Sequence, residues 1–348
     1  MNLLDLDRKG LTELFARWGF SDYYAVMVWR YLYRSSVTSV SAMHDLVPEL
    51  RQLMQERTTI AMPDRLLAQK SKDGTVKYLL SLQDGEQVET VLMPYRDRFT
   101  VCISTQAGCA MGCVFCATGQ MGFRRNLSAG EIVAQVLFAK NAAEKEPNQR
   151  KLRNIVLMGM GEPLHNYKAT MAALRVLTSD TGLAIGPRYI TVSTVGLVPA
   201  IRRLAEEELG VNLAVSLHSA TDEERRALVP LARRWPLAEL LDACRYYSAR
   251  SGRRIFFEWT LIAGKNDTPE QAHALGRLLG HLDAHVNLIP LNPTPAFEGA
   301  GSRRGAVAQF KAILEQYGVP NTVRQRRGID IDAGCGQLRQ RVLAKQAD

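Results

Sequence analysis

Three cysteines fall within eight residues, Cys109-Ala-Met-Gly-Cys113-Val-Phe-Cys116, half of the six in the chain. Neighbouring cysteines in so short a loop do not easily meet disulfide geometry. Three thiolates close together suit a metal centre instead. A four-iron cluster takes four ligands, so a loop that supplies three leaves one iron open for chemistry. The competing reading is zinc, which closes with four Cys or His ligands. The nearest downstream histidine is His165, and Cys102 is the candidate fourth ligand upstream. The spacing and the surrounding strand–helix pattern favour the iron–sulfur reading.

Other reactive residue types stand apart from the triplet. Gly159-Met160-Gly161-Glu162-Pro163 is either an ordinary turn or a place where backbone approaches a ligand closely. Ser193, Ser216-Leu217-His218 and Asn292 follow apolar runs. Each alone reads as capping or turn chemistry, and His218 also reads as a hydrogen-bonded core histidine; together they suggest a shared ligand. Glu89, in Val88-Glu89-Thr90-Val91, is an acid in an otherwise apolar stretch. It is either on the solvent face of a half-buried strand or a general base tuned by its surroundings. Cys335 sits between two glycines, which suggests accessibility. A chemical pair is open, with Cys335 carrying a group and Cys102 resolving it; equally, Cys102 is a small buried apolar residue. Cys244, inside a helical pattern, reads as structural.

The elements that position these residues change character along the chain. Residues 1–60 read as a helical accessory domain, with amphipathic pieces at Leu11–Trp18, Tyr23–Tyr33 and Leu46–Met54. Residues 61–95 show period-two alternation broken at Asp73-Gly74 and Asp84-Gly85, the signature of a β-meander. Residues 96–348 alternate strand and helix. Strands are expected at Phe99–Ser104, Asn154–Met158, Tyr189–Ser193, Val211–Leu217, Ile255–Leu261 and Val286–Pro290, with a short last one at Asn321–Arg326. The first helix opens with a capping box at Ser128-Ala-Gly-Glu131. Six strand–helix units without a dinucleotide fingerprint predict an α/β fold, a partial (βα)6 barrel with an N-terminal helical domain and a meander linker. In such barrels the chemistry sits at the C-terminal strand ends, where the motifs above fall.

Composition narrows the class. The chain has 348 residues, 46% hydrophobic, with no apolar run near the roughly 18 a membrane span needs. Its start lacks the pattern of a signal peptide, so a cytoplasmic protein without a membrane partner is expected. Six cysteines in a chain this long do not make a disulfide scaffold. The formal charge is +9, with arginine clusters at 124–125, 233–234, 253–254 and 303–304. That is either a solubilising surface or the footprint of a polyanion such as nucleic acid.

These pieces resemble the RlmN/Cfr family of radical S-adenosylmethionine (SAM) RNA methyltransferases over nearly the whole chain. The motifs that carry the resemblance are Val88–Val91, Cys102–Cys109, Cys113–Gly119, Gly159–Pro163, Ser216–His218 and Asp330–Leu338. The resemblance implies a 4Fe–4S cluster on Cys109, Cys113 and Cys116. It also implies SAM contacts from Gly161, Glu162, Ser193, Ser216, Leu217, His218 and Asn292. The resemblance further implies that two SAM molecules are used per turnover, one methylating Cys335 and the other yielding a deoxyadenosyl radical that activates that methyl group for addition to an adenine ring carbon. Glu89 is implied as the proton acceptor and Cys102 as the residue that releases product through a Cys102–Cys335 disulfide. The implied substrates are 23S rRNA and tRNA, methylated at adenine C2 in the RlmN branch. The implied electron donor is a flavodoxin-type reductant, and no obligate protein partner is evident. Gly334 departs from the family's usual Ala. Cfr-type C8 methylation and a non-catalytic, metal-stabilised RNA-binding protein are the alternatives.

Overall fold

The structure, a computed structural model, describes residues 1–147, 150–292, 294, 297–324, 327–331, 336–340 and 342. Three helices open the chain: α1 (Arg8–Arg17), α2 (Asp22–Tyr33) and α3 (Pro48–Arg57). Asp7 caps α1 by accepting from the Gly10 N–H at 2.7 Å, and Pro48 begins α3 where no N–H is needed. Their stripes, including Leu11, Phe15, Val28, Leu32, Leu50 and Met54, are buried and continuous with the core beneath the sheet.

The meander follows as β1 (Asp64–Lys70), β2 (Val76–Ser81) and β3 (Gln87–Pro94), antiparallel neighbours joined by the two expected Asp-Gly turns. Asp73 and Asp84 accept from the N–H two residues on, at 2.9 and 3.1 Å, which fixes each turn. β3 pairs antiparallel with β4 (Phe99–Cys102), so the meander continues the main sheet.

After β4 come a short hairpin, β5 (Gln106–Gly108) with β6 (Phe123–Asn126), and between its strands the four-residue α4 (Ala117–Gln120). Neither was expected. Strands of three and four residues in a glycine-rich stretch leave no readable period. The alternation then runs as predicted: α5 (Ala129–Glu144), β7 (Leu152–Leu157), α6 (Tyr167–Thr178), β8 (Ile190–Thr194), α7 (Val198–Glu206), β9 (Asn212–Ser216), α8 (Asp222–Leu228), α9 (Leu237–Ser251), β10 (Ile255–Leu261), α10 (Pro269–Leu279), β11 (Ala284–Pro290), α11 (Arg304–Gln316) and β12 (Asn321–Val323). One ten-stranded sheet has the order β1-β2-β3-β4-β7-β8-β9-β10-β11-β12, parallel from β4 onward. The fold is the expected α/β barrel-like sheet with helices outside.

The capping box forms as predicted: Ser128 Oγ accepts from the Glu131 N–H at 3.1 Å and Glu131 accepts from the Ser128 N–H at 2.9 Å. The first parallel strand is shorter than expected. Ser104 leaves the ladder because buried Gln135 of α5 takes both its backbone groups, accepting from its N–H at 2.8 Å and donating to its C=O at 2.9 Å. The last strand ends at Val323, and Gln325 and Arg326 of the expected strand lie outside the described residues. Among the described residues no helix is long and apolar enough to cross a membrane.

Candidate active site

The C-terminal ends of the parallel strands open on one side of the sheet. There, two adjoining cavities of about 280 and 150 Å3 share Phe115, Cys116, Met158, Ser193, Ser216 and His218 in their walls. The smaller adds Cys109, Cys113, Gly161 and Glu162; the larger adds Glu258, Thr260, Asn292 and Gln337. All three cysteines of the triplet therefore face one space with the Gly-Glu motif.

The cysteine loop is held from both sides. The Cys109 N–H donates to Gly122 O at 2.9 Å and the Cys116 N–H to Cys113 O at 3.1 Å. Val114 N–H donates to Leu228 O at the end of α8 at 3.1 Å. Burial pushes the Cys109 thiol up to about 12 and also raises Cys113. Among the described residues no three His, Cys, Asp or Glu side chains converge as ligands on a single metal ion. A four-iron cluster instead offers a separate iron to each thiolate. Three cysteines around one wall of a cavity, with Glu162 on another, fit a cluster with one iron facing a second ligand.

The Gly159–Pro163 turn is moulded onto the segment after β4. The Gly159 N–H donates to Ile103 O at 3.0 Å, and a Cβ on Gly159 would lie 2.5 Å from that oxygen. Gly161 has φ +100° and a Cβ there would lie 2.5 Å from the Gln106 side chain. Gln106 in turn accepts from the Glu162 N–H at 2.8 Å and its amide nitrogen lies 2.9 Å from His165 Nδ1. The Glu162 carboxyl accepts from the N–H groups of Leu164 and Val195 at 3.0 and 2.8 Å. Burial outweighs these donors and raises its pKa to about 7.

Ser193 is the next-to-last residue of β8 and Ser216 ends β9, and both reach the cavities. His218 is buried with φ +61°, a conformation that costs energy for a residue with a Cβ and recurs at functional sites. Its Nδ1 accepts from the Thr260 N–H at 3.0 Å, which assigns the ring proton to Nε2, and burial lowers its pKa to about 3. It is a neutral ring with a fixed tautomer. Leu217 is not on the cavity wall: its side chain is buried, its N–H donates to Glu258 O at 3.0 Å and its C=O accepts from Arg225. Asn292 is exposed and lines the larger cavity.

Glu89 is not on a solvent face. It lies diagonally across the β2–β3 ladder from Lys77, and their side chains form an ion pair of 2.9 Å at 2% and 0% exposure. The Glu89 carboxylate also accepts from the N–H of Gly336 at 2.6 Å and of Arg339 at 2.8 Å. The chain after position 335 thus covers the face of the meander that the sequence left open. Cys102 ends β4 with its thiol bonded to the Met158 backbone, and burial pushes its pKa up to about 12. The charges of Glu89 and Lys77 both act on it. Cys335 lies outside the described residues. Its described flanks are tied to the meander: Asp330 accepts from Ser71 Oγ at 2.5 Å and the Lys72 N–H at 3.1 Å, and Arg339 pairs with Glu86 at 2.7 Å. Cys244 is wholly buried in α9, as expected.

Sequence reasoning missed several residues here. Glu258 had a signal, a lone acid in an apolar strand; it now accepts from Asn287 at 2.8 Å and burial raises its pKa. Lys77 had a weaker one, a cation at an inward period-two position. Arg225 had none, since α8 reads as a solvated charged helix.

Comparison with known proteins places this geometry. The Radical SAM superfamily matches residues 103–275, and the ribosomal RNA large subunit methyltransferase N-terminal domain matches residues 1–60. The chain is 58% identical to the dual-specificity RNA methyltransferase RlmN 1 of Myxococcus xanthus, covering 98% of this chain and 95% of that protein. It is 46% identical to the corresponding protein of Anaeromyxobacter dehalogenans, covering 97% and 91%. A crystal structure of a radical SAM methyltransferase from Sphaerobacter thermophilus superposes with a TM-score of 0.93 at 48% identity, over 97% of this chain and 98% of that one. Superfamily membership implies SAM and a 4Fe–4S cluster, and the chain belongs to the RlmN family of radical SAM RNA methyltransferases.

Proposed function

We propose that this protein methylates C2 of an adenosine in large-subunit 23S rRNA and of a tRNA adenosine, through a methyl group carried on Cys335. The observation that carries this is the convergence on Glu89. Lys77, the chain directly after Cys335, and the neighbourhood of Cys102 all meet at one buried carboxylate. Its relatives in Myxococcus and Anaeromyxobacter are named dual-specificity RNA methyltransferases, which supports more than one RNA substrate and sets aside a non-catalytic RNA binder. The net charge of +9 suits such partners.

Cys109, Cys113 and Cys116 hold the cluster. Gly161, Glu162, Ser193, Ser216, His218 and Asn292 bind SAM, with the Glu162 carboxylate on its ammonium group. When bound, cluster and SAM supply the one-electron cleavage that makes a carbon radical, with electrons from a flavodoxin-type donor. Two SAM molecules would be used per turnover, and the Cys335 sulfur would take the methyl group of the first. The chain's residues then handle protons and sulfur. One methyl hydrogen of the group on Cys335 would be lost to the SAM-derived radical and the carbon would bond to the ring carbon; the ring C–H proton would pass to Glu89, and the one electron left over would return to the cluster. Cys102, as thiolate, attacks the Cys335 sulfur. The S–S bond forms and the sulfur–carbon bond breaks, its electron pair staying on carbon and taking up a proton. Residues 1–60 act as the RNA-binding accessory domain, 61–95 as the meander that brings Glu89, and 96–348 as the catalytic barrel. The reaction belongs in the cytoplasm, where the RNA and reductant are.

The test is anaerobic reconstitution with iron, sulfide, reductant, SAM and RNA, followed by mass spectrometry of the digested RNA against 2-methyl- and 8-methyladenosine standards. 2-Methyladenosine is expected. Exclusive 8-methyladenosine overturns the regiochemistry in favour of the Cfr-type reaction.

A further inference from the structure

Arg225 is 1% exposed, among the largest fully buried side chains in the molecule. Its guanidinium donates to three backbone carbonyls, Val195 O at 2.6 Å, Ser216 O at 3.2 Å and Leu217 O at 3.2 Å. Among the described residues no carboxylate lies within ion-pair distance of it. Carbonyl dipoles solvate a guanidinium but do not cancel its charge, and buried charges are normally paired. The structure therefore holds a buried cation whose counter-charge has to be found.

The cysteine loop is where the geometry leads. Arg225 lies on α8, whose last carbonyl, Leu228 O, receives the Val114 N–H from between Cys113 and Cys116. Leu228 and Val229 pack with Met111 and Cys113 in one apolar cluster. Val195, whose carbonyl Arg225 holds, lines the cavity that contains Cys109, Cys113 and Cys116. Burial draws the guanidinium pKa down to about 10, which still leaves it charged at neutral pH.

We propose that Arg225 is the buried counter-cation of the thiolate-held cluster, neutralising it from behind the cysteine loop while its fork fixes the strand ends that carry Ser216 and His218. This rests on the triplet being the cluster site. Three thiolates give the centre net negative charge, and reduction adds one more electron. A fixed cation beside it favours the reduced state, because net charge is one of the factors that set the potential of such clusters. The same guanidinium reaches Glu162 through Val195, whose C=O it holds while the Val195 N–H donates to the Glu162 carboxyl. Arg225 is thus a positioning residue acting through both the cluster loop and the SAM pocket.

The experiment compares wild type, Arg225→Gln, Arg225→Lys and Arg226→Gln, each full length and reconstituted anaerobically. Arg226 is the exposed neighbour on α8 and controls for loss of a surface charge. Iron and sulfide content and the electron paramagnetic resonance signal are measured first. The cluster midpoint potential is then titrated without SAM. Arg225→Gln, which keeps donors for the carbonyls without the charge, is expected to move the potential to more negative values. Arg225→Lys, which keeps the charge, and Arg226→Gln are expected to stay near wild type. An unchanged potential in Arg225→Gln, or an equal shift in Arg225→Lys, overturns the proposal. Should Arg225→Gln not hold a cluster, Arg225→Met is titrated with the same expectation, and loss of the cluster in every neutral variant with retention in Arg225→Lys supports it. Failure of wild type itself to assemble a cluster overturns the reading of the triplet instead.

Discussion

The barrel mouth and the meander arm both carry groups proposed to react, yet they are held together differently. At the mouth, backbone does the work. Strand ends, the Gly159–Pro163 turn and Gln135 lock into one another, and in these contacts at least one partner is a backbone N–H or C=O. On the arm, charge does the work. Lys77 and Glu89 pair in a dry interface, and segments about 250 residues apart in sequence are tied through Glu89, Asp330 and Arg339. A mouth built on backbone presents a fixed cavity for a cofactor. An arm built on side chains suits the proposed chemistry, in which a methyl group on Cys335 would be carried, used and cut free.

The largest effect expected is on the arm. Cys335→Ala is predicted to abolish methylated RNA, whereas Cys102→Ala should stall as a protein–RNA adduct visible on a denaturing gel. Free turnover by Cys102→Ala would contradict its resolving role and with it the division between the two regions.

Breaking the buried pair comes next. Lys77→Met leaves Glu89 buried beside a methyl group, a change that costs about 3–5 kcal/mol. Denaturant unfolding should show most of that loss recovered in the Lys77→Met/Glu89→Gln double variant, which remains inactive. No destabilisation in the single variant would mean that the arm is not held by charge.

A mouth variant sharpens the contrast. Gln135→Leu strands the Ser104 N–H and C=O and the Thr90 hydroxyl, all buried partners of that amide, and should cost about 2–3 kcal/mol. Its fingerprint is weakened SAM binding by the reconstituted protein.

The pH dependence of SAM affinity is smaller. Burial holds the Glu162 pKa near 7, so the group is mostly neutral below that value and ionised above it. A bound ammonium group prefers the carboxylate, so affinity should rise with pH, roughly tenfold between pH 6 and pH 8 by one-proton linkage. Calorimetric titration checks this, and Glu162→Gln should flatten the curve.

The smallest effect belongs to Asp330→Ala. Hydrogen bonds from Ser71, then the Lys72 N–H, hold the Asp330 carboxyl below the ordinary carboxylate range. Its contribution is present above that range and lost as pH falls through its lowered value. The variant should speed hydrogen exchange at Lys72, whose N–H Asp330 accepts, with little change in Tm.

The periodic parts were legible in the sequence because their signals are local. The capping box at Ser128–Glu131, the Asp-Gly turns and the apolar runs of β7 to β11 each dictate structure within a few residues, so the barrel and its strand-end loops followed. The cysteine triplet likewise carried its meaning in its spacing. Glu89 was ambiguous because period-two alternation says which residues share a face but not what covers that face. The cover is residues 336–340, about 250 positions later, and no local pattern links the two. Arg225 was invisible for a related reason. In Asp222-Glu-Glu-Arg225-Arg226 every residue looks solvated, and only the closure of β8, β9 and α8 around one side chain turned one of the two arginines inward. Sequence determined the elements and the cofactor motif, since both depend on neighbours along the chain. Tertiary structure alone decided which charges were buried and what they faced, because desolvation depends on what packs in space.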